Sequence, residues 1–367
     1  MLEYFKDIIV LLITSKIFFK LKKKNIIIYD CINSYELSKV LNKKDYFILS
    51  SRKATIKNIY LTKNIVIFLI KNFLKRRIKL NYMMAIIKEI NPKIVITNID
   101  NSVEFSFLAK YFYKKIKFIA VQGANRNDIY DNTGNLNQYL FIPNFLCYSI
   151  FDKDLFKKKK IKVGKFIISG SLKNSFYKNK YDKKNKKKYD ICYISKNFLK
   201  NTFKHDSVKN LEYLAKYALK YKKKVIIQSK VKKNLNELKV YKRIFKGLKT
   251  VVEWRSSSKH SAYESIDKSS IVLGAPTTLL REAYYFNKKV LCCDSAKAAN
   301  IKGYPFKGEN YLKDFNYIDF EKRLNNLIKS SFKEYLSKLG KPKNFFMGDI
   351  NTVALIKNLI KRELKHK

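Results

Sequence analysis

The side chains best suited to chemistry lie in one short segment, residues 270–283 with the sequence SIVLGAPTTLLREA. Its apolar run ends at Gly274 and predicts a buried strand, followed by a turn and a helix that begins at Thr277 or Thr278. A helix N-terminus carries N–H groups and a partial positive charge that suit a phosphate, and the threonine hydroxyls add donors. Glu282 falls one turn later on the face of Thr278, where a carboxylate can accept from ribose hydroxyls. A plain capped helix with an exposed glutamate explains the same spacing, so both interpretations stay open.

Polar and basic side chains also follow three other predicted strands. Ligands of open parallel sheets bind beyond the carboxyl ends of the strands, so these side chains can reach a diphosphate or a base. For each residue taken alone, a solvated lysine or an ordinary loop residue is the better interpretation, and only their shared position after strands favours a site. The residues are Ser195 and Lys196, Ser229 and Lys230, and Trp254 and Arg255.

The elements that must position these residues alternate between short apolar runs and longer helical patterns. Such alternation predicts parallel sheets covered on both faces, and the nearly continuous apolar character of the runs predicts strands buried on both sides. The predicted helices are 105–113, 210–221, 278–286 and 351–364, the last capped by Asp349 or Asn351. The predicted strands are 25–29, 46–49, 94–97, 117–121, 166–169, 190–195, 224–228, 250–253, 271–274 and 289–293.

Two polar stretches, Phe151–Val163 and Lys178–Lys188, read as surface loops. They flank the predicted strand at 166–169, so we place a domain boundary near Val163. The length of 367 residues is also that of two domains of ordinary size.

Segment 270–283 resembles the donor signature in the C-terminal domain of GT-B glycosyltransferases, where a strand ends in small residues and Ser/Thr before Glu-Ala on the next helix. Residues 287–291, NKKVL, resemble the strand entry that follows it. More narrowly, the chain resembles a bacterial surface carbohydrate biosynthesis family. Residues 118–126, FIAVQGANR, share the Gln and Arg of that family's Gln-Asn-Gly-x-Arg stretch with Gly and Asn rearranged. Residues 170–172, GSL, and 189–195, YDICYIS, also resemble family segments and add Ser171 to the donor candidates.

The resemblance spans about residues 25–359 and implies an α/β, GT-B-like fold with two Rossmann-like domains whose parallel sheets face a central cleft. Residues 1–163 would form the acceptor-side domain, 164–340 the nucleotide-sugar-binding domain, and 341–367 a helix returning to the first domain. The expected function is transfer of a sugar from a nucleotide-activated donor to a glycan or lipid-linked acceptor in surface polysaccharide synthesis. A nucleotide-sugar epimerase and a polyol-phosphate transferase of the same fold remain alternatives.

Two carboxylates follow predicted strands of the first domain, Asp30 and Asp100. Inverting glycosyl transfer needs a carboxylate or histidine to take the acceptor proton, so Asp100 is the candidate base. A turn-forming role explains Asp100 as well, and the resemblance implies that retaining GT-B enzymes lack an obvious base. Arg126 is the candidate that stabilises a leaving phosphate or an acidic sugar, and a solvated loop arginine is its alternative.

The composition limits the partners. The chain has 79 Lys and Arg against 29 Asp and Glu, which gives a net charge of +50, and the lysines are spread along the chain. Codon bias with solvated lysine side chains would explain this excess, and so would attraction to the anionic inner leaflet of a membrane. A basic nucleic-acid-binding protein is the alternative from another class, but the aromatic residues sit within apolar runs, so we expect no nucleic acid partner.

The small numbers of cysteine and histidine residues bear on two questions, whether the chain binds a metal and in which compartment it is found. Five cysteines without a C-x-x-C pair predict buried thiols in a reducing compartment, and three histidines give no basis for a metal site. The apolar run at 8–14 is too short to span a bilayer and lacks a signal-peptide pattern. We therefore expect a cytoplasmic protein without a bound cofactor, in peripheral contact with the inner membrane, the first helix being an ordinary amphipathic helix or a surface anchor.

Overall fold

Two six-stranded parallel sheets, each covered by helices, form the frame of the protein. The computed structural model describes residues 10, 13–31, 34–72, 77–126, 140–158, 161–181, 187–195, 204–255, 261–294, 304–339, 347 and 350–365. The expected α/β class with two parallel-sheet domains is confirmed.

The first sheet has the strand order β3-β2-β5-β6-β7-β8. Its inner strands are largely apolar because both faces are buried, as in Ile26–Tyr29, where all four residues are buried. Helices α2 to α5 contribute to the hydrophobic cluster on one face, and α1, α6 and α13 to the cluster on the other. The strands are β2 (Ile26–Tyr29), β3 (Tyr46–Leu49), β5 (Ile94–Thr97), β6 (Lys117–Val121), β7 (Phe141–Cys147) and β8 (Lys162–Ile168). The helices are α1 (Tyr35–Val40), α2 (Lys63–Lys71), α3 (Ile78–Ile90), α4 (Val103–Phe112), α5 (Ile150–Lys158), α6 (Leu172–Tyr181) and α13 (Thr352–Lys365).

The second sheet has the order β11-β10-β9-β12-β13-β14, and a single hydrophobic cluster joins it to its helices. The strands are β9 (Tyr189–Ile194), β10 (Val225–Gln228), β11 (Thr250–Glu253), β12 (Ser269–Gly274), β13 (Lys289–Asp294) and β14 (Tyr311–Lys313). The helices are α7 (Lys204–Lys220), α8 (Leu235–Ile244), α9 (Ser261–Asp267), α10 (Thr278–Ala283), α11 (Tyr317–Lys329) and α12 (Phe332–Lys338).

Strand β7 and helix α5 are elements that the sequence patterns did not predict. β7 contains Pro143, which normally excludes a central strand position because proline has no N–H donor. Gly164 lies opposite on β8, where a Cβ atom would stand 2.6 Å from the Pro143 carbonyl oxygen, so the glycine makes room for this pairing. The expectation of a surface loop at Phe151–Val163 is wrong, because α5 and the start of β8 occupy most of it.

The chain crosses between the sheets after β8. Val163 lies within β8, which pairs with β7, so the change of sheet follows Ile168 rather than Val163. Helix α13 packs back on the first sheet through Ile356 and Ile360. Its N-terminus is capped by Asn351, whose Oδ1 accepts from the Ala354 N–H at 3.0 Å; the other candidate cap, Asp349, lies outside the described residues.

The crossover and the returning segment are tied together by backbone contacts. The Ser171 N–H donates to the Met347 carbonyl at 2.6 Å, and the Thr352 hydroxyl donates to the Ser169 carbonyl at 2.5 Å. Gly170 adopts φ +73°, and a Cβ atom there would stand 2.5 Å from the Met347 oxygen. Only glycine satisfies both constraints, so the crossover is fixed at this point.

A short parallel ribbon of β1 (Lys16–Phe18) and β4 (Asn58–Tyr60) precedes α2. No helix in the described part of the chain has the length and apolar character that would let it span a lipid bilayer.

Candidate functional site

The loops that follow β6 and β12 bring the carboxyl ends of the two sheets into direct contact. The Asn125 N–H, beyond β6, donates to the Thr278 hydroxyl oxygen at the start of α10 across 3.0 Å. Both residues follow parallel strands, so the strand ends of the two sheets face each other. This is the region where ligands of open α/β sheets bind.

Arg281 of α10 joins the two domains through a buried ion pair. Its side chain has no exposed surface, and its NH2 nitrogen stands 2.9 Å from Oδ2 of Asp152 on α5, which is also buried. The NH1 nitrogen donates to Asp152 Oδ1 at 3.0 Å and to Asn125 Oδ1 at 2.8 Å. The Tyr148 and Phe151 rings lie 5.9 and 5.5 Å from the guanidinium carbon. The bidentate pair and the aromatic walls hold the cation where water is excluded.

The electrostatics of Asp152 follow from these contacts. Burial alone would raise the pKa of Asp152, but the Arg281 charge and hydrogen bonds from Arg281, Ser149 and Gln122 outweigh it and lower the pKa from its usual value. The Gln122 amide donates at 2.9 Å and the Ser149 hydroxyl at 2.6 Å. Asp152 is therefore held as an anion that anchors the arginine, and its geometry is that of a structural partner.

Glu282 is not the exposed helix-surface carboxylate that the spacing suggested. It is 4% exposed, and its oxygens accept from the Ser171 hydroxyl at 3.1 Å and from the Tyr263 hydroxyl at 2.9 Å. Burial raises the pKa of Glu282, although the Lys173 charge and the two hydrogen bonds oppose the shift. Ser171 is itself buried, so the hydrogen bond between these two predicted donor-site residues ties α10 to the crossover after β8.

Asp100 and Arg126, the two catalytic candidates, are brought together. Arg126 binds Asp100 through its Nε at 2.7 Å and through NH2, and the Gly123 N–H donates to Asp100 Oδ1 at 3.1 Å. A Cβ atom at Gly123 would overlap the Asn98 carbonyl oxygen, so glycine is required for this approach of the loops after β5 and β6. Asp100 is fully buried while the Arg126 side chain is 14% exposed, so the pair presents its positive end toward solvent.

The candidates of the second sheet divide into a buried cluster and an exposed basic pair. The Tyr241 hydroxyl donates to Glu237 at 3.3 Å and lies 2.7 Å from the Ser195 hydroxyl, and the Ser229 hydroxyl donates to Glu237 at 3.2 Å. Burial raises the pKa of Glu237, opposed by the Ser229 and Tyr241 hydrogen bonds. Lys230 and Arg255 are exposed beyond β10 and β11.

The remaining predicted residues have local structural explanations or lie outside the described residues. A Cβ atom at Gly274 would stand 2.6 Å from the Ile194 carbonyl oxygen on the neighbouring strand β9. Thr277 occupies the N-cap of α10 but makes no side-chain capping bond, and α10 has only six residues. Lys196 lies outside the described residues.

The sequence patterns missed Asp152, Arg281 and Tyr263 as members of this region. Arg281 offered a signal, because an arginine beside Leu280 on a helix predicted to pack on a buried strand needs an anionic partner if it is buried. Which carboxylate would supply that partner could not be read from the spacing. The described residues contain no group of three or more His, Cys, Asp or Glu side chains arranged to hold a metal ion.

Two Rossmann-like domains whose parallel sheets meet at their carboxyl ends define a GT-B-like protein. Solved structures share this fold over most of the chain. A putative UDP-N-acetylglucosamine 2-epimerase from Listeria monocytogenes has TM-score 0.62 and 13% identity, covering 94% of this chain and 98% of its own. The UDP-GlcNAc 2-epimerase from Neisseria meningitidis, bound to UDP-GlcNAc, has TM-score 0.59 and 12% identity over 92% and 100% of the chains. The wall teichoic acid polymerase TagF has TM-score 0.56 and 11% identity over 94% of this chain and 91% of its own. No family model and no curated protein matches the sequence.

Proposed function

We propose that the protein is an enzyme that binds a nucleoside-diphosphate sugar between its two sheets. The observation that carries this proposal is the contact of Asn125 with Thr278, which brings the carboxyl ends of both parallel sheets to one place. Support comes from the similar structures, two of which were solved with UDP-GlcNAc bound. The alignment with the Neisseria meningitidis structure covers 92% of this chain and 100% of the other, so both domains of the shared fold have a counterpart here.

Positive side chains at this edge of the two sheets suit a diphosphate. Arg126 belongs to the first sheet, and Lys230 and Arg255 to the second. Arginine and lysine bind phosphate oxygens through charge-assisted hydrogen bonds. In this proposal Arg126 contacts the diphosphate or the sugar, and Asp100 orients Arg126 and does not act as the base, because its oxygens already accept from Arg126 and Gly123.

Epimerisation of the donor sugar is the first candidate reaction, because the similar structures include several UDP-GlcNAc 2-epimerases. Transfer of the activated unit to a surface glycan or lipid-linked acceptor is the second, and similarity to a wall teichoic acid polymerase supports it. The two reactions differ in whether they need an acceptor. An epimerase inverts one sugar carbon without an acceptor, whereas a transferase holds the donor until an acceptor hydroxyl is present.

The test is incubation of the full chain with UDP-GlcNAc in deuterated buffer, followed by proton NMR. Appearance of the C2 epimer without an acceptor, with deuterium at C2, supports the epimerase. An unchanged donor that is consumed only after a surface glycan acceptor is added supports the transferase. Failure of both UDP and UDP-GlcNAc to bind, measured by calorimetry, would overturn the proposal.

Arg126→Met tests the site itself. Loss of one hydrogen bond to a charged group costs about 1.5–3 kcal/mol, so UDP affinity should fall about 10- to 100-fold. Arg323→Met on α11 is the matched control, because Arg323 is partly exposed and lies in the second domain away from these strand ends. Equal UDP affinity in both variants would remove Arg126 from the site.

A further inference from the structure

Helix α2 presents an apolar face to solvent. Thr62 caps the helix by accepting from the Ile65 N–H, and Ile65 is buried in the core of the first domain. The opposite face is exposed and follows the helical spacing of i, i+3, i+4, i+7 and i+8. Its residues are Lys63, Val66 (37% exposed), Ile67 (40%), Ile70 (71%) and Lys71.

The β1 strand extends this apolar surface beyond the start of α2. The Leu61 N–H, just before the helix cap, donates to the Phe18 carbonyl at 2.8 Å, so the end of β1 lies beside the helix N-terminus. Ile17, Phe18 and Phe19 are 40%, 40% and 73% exposed. We call these three residues together with Val66, Ile67 and Ile70 the outer patch.

The outer patch is held on a fixed support. The Asn64 side chain donates to Glu89 on α3 at 2.9 Å, and the Asn81 side chain on α3 donates to the Asn72 carbonyl at 2.6 Å. The Lys88 ammonium lies 4.6 Å from the centre of the Phe68 ring. Helix α2 is thus tied to α3 along its length, and its exposed apolar face is part of the folded domain.

The charge around the outer patch is mostly positive. Residues 63–71, 78–90 and 103–115, which form the helical layer, contain seven lysines and two glutamates. Both glutamates already have partners, Glu89 with Asn64 and Glu104 with Lys79 at 2.9 Å. Exposed Lys16, Lys20 and Lys22 border the β1 side. A partner for this surface must therefore be apolar in the middle and anionic around it.

We propose that the outer patch docks the protein on an anionic lipid bilayer. The aliphatic and aromatic side chains lie at the boundary of the acyl chains, and Lys63, Lys71 and their neighbours contact the lipid phosphates. A second copy of the chain fits this surface less well, because each chain carries a net charge of +50 and self-pairing would bring lysine-rich rims together. Four of the six residues of the outer patch are aliphatic, and the Phe18 ring stacks on Tyr60 of the same domain at 5.4 Å, whereas single-stranded nucleic acid is bound on successive exposed aromatic rings.

The experiment is sedimentation of the full chain with phosphatidylcholine vesicles, with and without phosphatidylglycerol, at low and high salt. We expect binding only to the anionic vesicles and at low salt. Ile70→Ser should weaken that binding about tenfold, since one buried aliphatic side chain is lost. Ile318→Ser on α11 is the matched control, because Ile318 is 72% exposed against 71% for Ile70, and it should bind like wild type.

Three results would overturn the proposal. The first is absence of binding to anionic vesicles, and the second is an equal effect of Ile70→Ser and Ile318→Ser. The third is a wild-type dimer in light scattering that Ile70→Ser converts to a monomer, since a second copy would then occupy the patch. Circular dichroism of both variants checks that the fold is retained, and UDP binding checks that the donor site is unaffected.

Discussion

Arg281→Met removes the charge that joins the two domains while keeping a side chain of similar length. The guanidinium is fully buried and pairs with Asp152 through two contacts of 2.9 and 3.0 Å. It also donates to Asn125 at 2.8 Å and to Ser149 at 3.2 Å. The variant leaves the Asp152 carboxylate buried without its cation.

The size of the effect follows from that uncompensated charge. Each of the four hydrogen bonds to the charged guanidinium is worth about 1.5–3 kcal/mol of unfolding free energy on its own. These values cannot be added, because the four bonds share one side chain and are lost together. Removing one partner of a buried ion pair costs about 3–5 kcal/mol, which is the loss of unfolding free energy we expect. Asp152→Asn should also destabilise the wild type. In the Arg281→Met background it should stabilise, because it removes the buried charge and keeps an amide that can bond Ser149 and Gln122.

Urea unfolding of the wild type, Arg281→Met, Asp152→Asn and the double variant measures whether the effect of Asp152→Asn on the unfolding free energy changes sign between the two backgrounds. The single tryptophan, Trp254, lies in the second domain near Tyr241, so its fluorescence reports that domain while far-ultraviolet circular dichroism reports both. In Arg281→Met the two transitions should separate, because the domains lose their buried link. Lys79→Met is the control, since the Lys79–Glu104 pair is 43% exposed on each side and should contribute about 1 kcal/mol or less. The reasoning fails if Asp152→Asn destabilises both backgrounds equally.

Two further variants test the packing of the strand ends. Because the folded-state pKa of Glu282 is raised above its usual 4.5, wild-type stability should fall as pH rises from 4.5 through the folded-state pKa. Glu282→Gln should flatten this slope in melting temperature against pH, and an unchanged slope would assign it to other groups. Gly123→Ala should lose about 1–3 kcal/mol of unfolding free energy, since its Cβ would overlap the Asn98 carbonyl. Gly247→Ala, with φ +80° and open space around it, gives the cost of backbone strain without a clash, whereas φ at Gly123 is not positive and its loss reports the clash; a Gly123→Ala midpoint equal to wild type would contradict that clash.

Much of the strand pattern could be predicted because the strands are short and mostly apolar runs, both where they are fully buried, as in β5, and where they lie at a sheet edge, as in β3 and β11. The bounds of β3, β5, β6 and β11 agree with the predicted runs. β7 escaped because Pro143 and Asn144 interrupt its run, and the glycine that accommodates the proline lies on another strand. β14 has three residues, too few for a periodic signal.

The places of the candidate residues in the fold were predictable, and the state of their side chains was less so. The pattern after β12 correctly located the turn and the helix that carry Thr278 and Glu282. It could not show that Tyr263 and Ser171, 19 and 111 residues away, donate to the Glu282 oxygens. Whether a carboxylate faces a ligand or a protein hydroxyl is decided by tertiary packing, which local spacing does not encode.

Helix α10 connects the second sheet to three separate elements. Thr278 accepts from the loop after β6, Arg281 pairs with α5, and Glu282 accepts from the crossover at Ser171. This six-residue helix therefore makes three kinds of contact across the junction: a neutral hydrogen bond at Thr278, a buried ion pair at Arg281 and hydrogen bonds to a buried carboxylate at Glu282. A ligand shifts a domain arrangement only by its difference in affinity for the two arrangements. The buried Arg281–Asp152 pair favours the arrangement described here over any arrangement that moves α10 away from α5, because breaking the pair costs about 3–5 kcal/mol. Under the proposed function, a donor bound beside α10 moves the domains apart only where its own difference in affinity exceeds that cost.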